Sequence, residues 1–160
     1  VRTPATEVND ITKALLDQNI IFSYVNDYVL KNDSIKDIDQ FSFLKYDEFV
    51  AFTKKKNFAY LTSGESEVKA LEEALKDKGE LKSQLVSDIT SMKNKFNAAK
   101  ANDFIKYKDE IVKHIEKEII SRYFYQKGAT KLALRRDKEV EEAIAILKDK
   151  ARYNSLLGIK

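Results

Sequence analysis

The chain has 160 residues, 43% of them hydrophobic, with 29 Lys plus Arg against 26 Asp plus Glu, one histidine and no cysteine. Such a length fits one domain that buries roughly two-thirds of its unfolded surface without metal or disulfide staples, and the missing cysteine excludes disulfide and thiol chemistry. The net charge of +3 is spread along the chain rather than gathered in blocks, which argues against a nucleic-acid or anionic-membrane surface, and no stretch approaches the ~20 apolar residues of a membrane span.

Four glycines and one proline are too few turn residues for a sheet protein, so few, long helices joined by polar breaks are expected. The opening Val1-Arg2-Thr3-Pro4 carries no signal-peptide pattern. It looks like a cut from a longer precursor, with residues 1–5 as a linker or the end of an upstream core. Thr6, Asn9 or Asp10 can cap a first helix carrying Ile11, Ala14 and Leu15. Asp17-Gln18-Asn19 either interrupts that helix or forms its wet face. Ile21, Phe22, Val25, Tyr28 and Val29 give a second stripe, which ends in the polar run 31–34. Residues 35–43 are irregular, with Ile38, Phe41 and Phe43 as anchors of a loop lying on the core. Helical spacing returns at Tyr46, Phe49, Val50 and Phe52, and Lys54, Lys55 and Lys56 make a cationic last turn.

After an extended piece over 57–61, Thr62 and Glu65 fit a capping box that opens a helix with Val68, Leu71 and Leu75 as its stripe and Gly79 just past its end. Leu81, Leu85, Ile89, Met92 and Phe96 repeat at coiled-coil spacing, a narrow seam that suits one neighbour. The two segments predict an antiparallel helical hairpin over about 64–99. Two alternatives stay open: Gly79 inside one long helix, at a cost of about 1 kcal/mol, or the pair lying flat on the next helix.

That next helix, about 103–128, is the longest amphipathic run. Phe104, Tyr107, Ile111, Ile115, Ile119 and Tyr123 share one face and Val112, Ile120 and Phe124 widen it, while Lys106, Asp109, Glu110, Lys113, Glu116 and Lys117 fall on the wet side. Asn102 or Asp103 can cap its start and Gly128 can close its end in the left-handed conformation, with Arg122 and Lys127 suiting the dipole. Leu132 and Leu134 continue in a short turn. Asp137 can cap a helix with Val140, Ile144 and Leu147 inward, and Tyr153, Leu156 and Leu157 close the chain. The fold class is all-α, an irregular helical bundle around the 103–128 helix, in a single domain over 1–160.

Chemistry-bearing patterns are few. His114 is the only candidate base for a Ser-His or Cys-His arrangement, and it sits mid-helix beside the stripe, where a structural histidine is the better account. Asp109, Glu110, Glu116 and Glu118 alternate with lysines as a solvated face with i, i+4 ion pairs, so no metal site is expected. Four scattered glycines cannot build a phosphate loop, and no cofactor is expected. Two S-x-x-K matches, Ser42 to Lys45 and Ser66 to Lys69, lack the companion elements of penicillin-binding enzymes and arise by chance in a lysine-rich chain. In the run 122–127, aromatics interleave with cations. The run reads either as a stacking platform for single strands or, more simply, as the end of the core stripe followed by a polar helix end.

The segments EIISRYFYQKG over 118–128 and DKEVEEAIAIL over 137–147, with Tyr153, Leu156 and Leu157, resemble the C-terminal tail of bacterial carboxy-terminal processing, or tail-specific, serine proteases that carry a helical extension after the protease core. ITKALLDQNIIFSYVNDYV, over 11–29, looks like the segment that follows the last core strands in that family. The resemblance implies a non-catalytic helical domain of a periplasmic or cell-envelope protease, with the targeting signal and a Ser/Lys dyad upstream. It also implies a role in core packing, substrate access or subunit assembly. Its partners would be the protease and PDZ domains of the same polypeptide, unfolded protein substrates of the parent enzyme, and further copies in a homo-oligomer. Arg122, Tyr123, Tyr125, Gln126 and Lys127 are then the candidate docking surface, tyrosine and arginine being enriched at interfaces. No catalytic residue carries over. The alternatives are a stand-alone helical protein-protein interaction module and a nucleic-acid binder, which the upstream reading frame would distinguish from a protease tail.

Overall fold

The computed structural model describes residues 8–77, 79–135 and 137–158, of which 77% are helical, with no strand among them. The helices run α1 (Asp10–Asp17), α2 (Ile20–Lys31), α3 (Tyr46–Lys55), α4 (Ser63–Ala74), α5 (Gly79–Lys100), α6 (Asp103–Lys106), α7 (Lys108–Arg135), α8 (Lys138–Lys148) and α9 (Lys150–Leu157). The all-α expectation holds. The expected linker at 1–5 and the Thr6 cap lie outside the described residues.

Helix boundaries follow local chemistry. Asn9 caps α1 by accepting from the Thr12 N–H at 3.0 Å. The 17–19 triplet does interrupt the first helix, with Asn19 at φ 55°, a left-handed conformation that asparagine tolerates. Thr62 and Glu65 form the full capping box. Asp137 caps α8 through the N–H groups of Glu139 and Val140.

The described chain divides into two compact units, and α2 and α7 contribute to both. In the first unit, up to Tyr24 and again over Leu44–His114, Ile11, Leu15, Phe49 and Ile111 are fully buried. Tyr24 meets Phe49 edge-on at 5.1 Å and Phe52 at 5.4 Å. In the same unit α4 and α5 form an antiparallel pair: Lys100 bonds Glu65 at 2.5 Å, Lys93 bonds Glu72 at 2.5 Å, and Val68, Leu75 and Ile89 form the buried seam with Leu85 and Phe96 beside it. Gly79 begins α5 rather than closing α4, and its φ is not positive. In the second unit, Val25–Phe43 with the chain from Ile115 onward, the core holds Val25, Phe43, Ile115, Ile119, Ile120 and Leu132.

Two expectations about the long helix are corrected. Its start divides: α6 ends at Lys106 and Tyr107 leaves helical geometry at φ −106° and ψ 16°. The Phe104 carbonyl accepts instead from the Tyr46 hydroxyl at 2.7 Å, and Asp103 accepts from the Tyr60 hydroxyl, so tertiary bonds fix this turn separately. Its end is not at Gly128 either: α7 is interrupted at Tyr125, and a second helical segment beyond that break carries the chain through Gly128 to Arg135. Gly128 is helical, and the glycine with positive φ is Gly158, which caps α9. Glycine costs a helix about 1 kcal/mol, and burial of Ala129 and Leu132 outweighs that. The expected inward face of α8 is also not found: Ile144 and Leu147 are exposed and Val140 half-buried. The partner of α8 is the short α9, tied to it by Arg152 and Glu142 at 2.5 Å, and so short a helix covers little.

Candidate functional site

The loop over 32–43 and the part of α7 from Ile115 onward, all within the second unit, are joined by a set of polar bonds. Four α7 side chains hold the loop, mostly by its backbone. Glu116 accepts from the Phe43 N–H at 2.7 Å, and the Tyr123 hydroxyl donates to the Asn32 carbonyl. Lys131 meets Asp39 at 2.6 Å. Arg135 donates to the carbonyls of Ile38 at 2.9 Å, Asp39 at 2.5 Å and Phe41 at 3.3 Å. Tyr28 adds an edge contact to Phe43 at 5.9 Å. A structureless backbone has polar groups that must be satisfied somewhere, and here a planar guanidinium serves three of them.

An unbroken helix could not make all these bonds. Glu116 and Arg135 are separated by about 28 Å along a straight helix at 1.5 Å per residue. The residues they grip, Phe43 and Phe41, are two positions apart, a span of at most roughly 7 Å. The helix is in fact broken at Tyr125, whose φ of 55° and ψ of −156° lie in a region that essentially only glycine occupies. The break also explains Gly128. A Cβ there would lie 2.4 Å from the Phe124 Cβ and 3.0 Å from Ile120 Cγ2, whereas Cβ atoms four apart in a regular helix are about 5–6 Å apart. Tyr125 folds the chain back so closely that residue 128 has no room for a side chain.

The break splits the candidate docking residues. Arg122 pairs with Glu118 at 3.0 Å on the first segment, and Tyr123 is engaged with Asn32, its hydroxyl pushed up in pKa by burial and then by Tyr28 and Asp33, so it stays a donor. Gln126 and Lys127 are exposed on the second segment, and Thr130 donates to the Gln126 carbonyl at 3.0 Å. Tyr125 itself is 78% exposed. Only part of the set is therefore open surface.

Glu116 corrects the sequence reading most clearly, being 1% exposed where a wet face was expected. Its place one residue from Ile115 is compatible with burial, but no local signal marks it as the acceptor for a loop amide. Lys131 and Arg135 were also missed; their i, i+4 spacing makes them a pair on one face without saying what they hold. His114 is half-buried. Ser66 is exposed and donates to the Thr62 carbonyl at 3.2 Å within its own first turn, and Lys69 is exposed beside it. Among the described residues no cluster of three or more His, Asp or Glu could hold a metal, and no helix is long and apolar enough to cross a membrane.

Residues 11–147 match the family described as "Probable PDZ-protease, C-terminal helical domain". No curated protein and no solved structure matches the chain.

Proposed function

The chain belongs to the family of C-terminal helical domains of probable PDZ-proteases, and on that premise we propose that it is the non-catalytic tail domain of a carboxy-terminal processing serine protease of the cell envelope. In this reading it packs against the protease and PDZ portions of its own polypeptide and shapes substrate access or assembly, while the catalytic serine and lysine lie in the core. The observation that carries the reading is the family match over most of the chain. Two features support it. Peptide cleavage needs an activated nucleophile, an oriented base and oxyanion donors in one cleft, whereas the Ser66 hydroxyl is spent on its helix turn and Lys69 stands exposed to water. Tyr125, Gln126 and Lys127 meanwhile offer an exposed aromatic with polar neighbours of the kind found at domain interfaces.

The test compares three proteins on unstructured polypeptides with apolar C-termini: this chain, the full-length protease and a core-only truncation. The expected result is no cleavage by the chain, cleavage by the full-length enzyme, and altered substrate choice or assembly in the truncation. Cleavage by the chain that is lost on replacing Ser42, Ser66 or His114 overturns the reading. So does a truncation indistinguishable from the full-length enzyme.

A further inference from the structure

We propose that the break at Tyr125 is a two-state hinge, bent in this structure and straight in its other state, and that the 32–43 loop is the latch that holds it bent. A tyrosine in a glycine-only backbone region disfavours the bent form by roughly ten- to hundredfold, so bonds made only in that form must offset it. Those bonds are the ones beyond the break: Arg135 to three loop carbonyls and Lys131 to Asp39. They are half-exposed and made to a loop, which makes them the easiest contacts of the unit to exchange for water. Relaxing Tyr125 to helical angles would carry residues 131 and 135 out along a straight axis, away from a loop still gripped by Glu116 and Tyr123. The latch and the straight helix are therefore mutually exclusive, which makes the element bistable rather than merely bent.

Gly128 sets the balance from the other side. With no Cβ it admits the bent form, and as a weak helix former it weakens the straight one. The sequence thus holds one residue that opposes the bend and one that permits it, three positions apart. The proposal concerns this chain alone and stands whether or not a protease core is attached.

The chain has no cysteine, so spin labels on Lys117→Cys and Ala133→Cys, both exposed and both in the second unit, report the hinge without interference. Sixteen residues of straight helix separate their backbones by about 24 Å, and the bent form brings them closer. Pulsed electron spin resonance distances are expected to show mainly the short separation in the parent. Gly128→Ala should raise the population near 24 Å by roughly tenfold, and Arg135→Gln should act in the same direction. Tyr125→Gly should narrow the distribution onto the short distance, and Tyr125→Ala should not. Arg135→Gln serves as the test where Gly128→Ala fails to fold. A long distance in the parent overturns the proposal, and so does one short distance unchanged by both Arg135→Gln and the Tyr125 pair, since the bend would then be static.

Discussion

The backbone N–H of Phe43 donates to Glu116 Oε1 at 2.7 Å, and the carboxylate that receives it is almost completely buried. A buried acceptor whose partner is a main-chain amide cannot be removed without stranding that amide. Replacing Glu116 by leucine, which keeps the bulk and removes the acceptor, is expected to lower unfolding free energy by about 1–3 kcal/mol, with glutamine costing less because its amide oxygen can still accept. Urea titration of the three proteins checks the order. Leucine and glutamine behaving alike would mean that the bond to Phe43 contributes nothing.

Ile115 is fully buried in the second unit. Ile115→Ala should cost about 2–5 kcal/mol, the lost transfer energy plus the cavity left behind. Thermal or urea unfolding measures it, and a loss well below 1 kcal/mol would place the side chain near the surface.

Tyr46 should make the first unit sensitive to alkali. Burial first, and then the neighbouring Asp47, raise its pKa from 10.0 to about 12 while its hydroxyl donates to the Phe104 carbonyl. A raised acid stays neutral longer in the folded chain than in the unfolded one, so this contribution is complete below pH 10 and is lost as pH rises through about 12. Tyr46→Phe should lose about 0.5–1.5 kcal/mol at neutral pH and then decline less steeply than the parent through that window. Parallel slopes would remove Tyr46 from the alkaline transition.

Glu65 gives the opposite dependence. Its burial alone would raise its pKa, but hydrogen bonds from Lys100 and from the Thr62 N–H, together with the lysine charge, hold it below the ordinary 4.5. Stability from this carboxylate is present above that ordinary value and is lost as pH falls below it through the depressed folded value. Glu65→Gln should therefore be less stable by about 1–3 kcal/mol at pH 7, with the difference closing below pH 4.5. A difference that stays constant into acid would assign the effect to packing.

Much of the fold could be read from residue order, because the interactions involved are local. The 111, 115 and 119 positions are buried where a 3.6-residue period puts them, and the caps at Asn9, Thr62 and Asp137 close bonds to amides two or three residues away. The split between α6 and α7, the burial of Glu116 and the break at Tyr125 could not be read this way. Nothing at Tyr125 resembles a helix breaker, and the nearby glycine suggested an end at 128 instead. The break is accompanied by Arg135 bonding the Ile38 carbonyl 97 positions away. Such a bond leaves no mark in a sequence: every residue carries a carbonyl, so the acceptor has no residue type to recognise, and only the packed chain determines which carbonyls an arginine can reach.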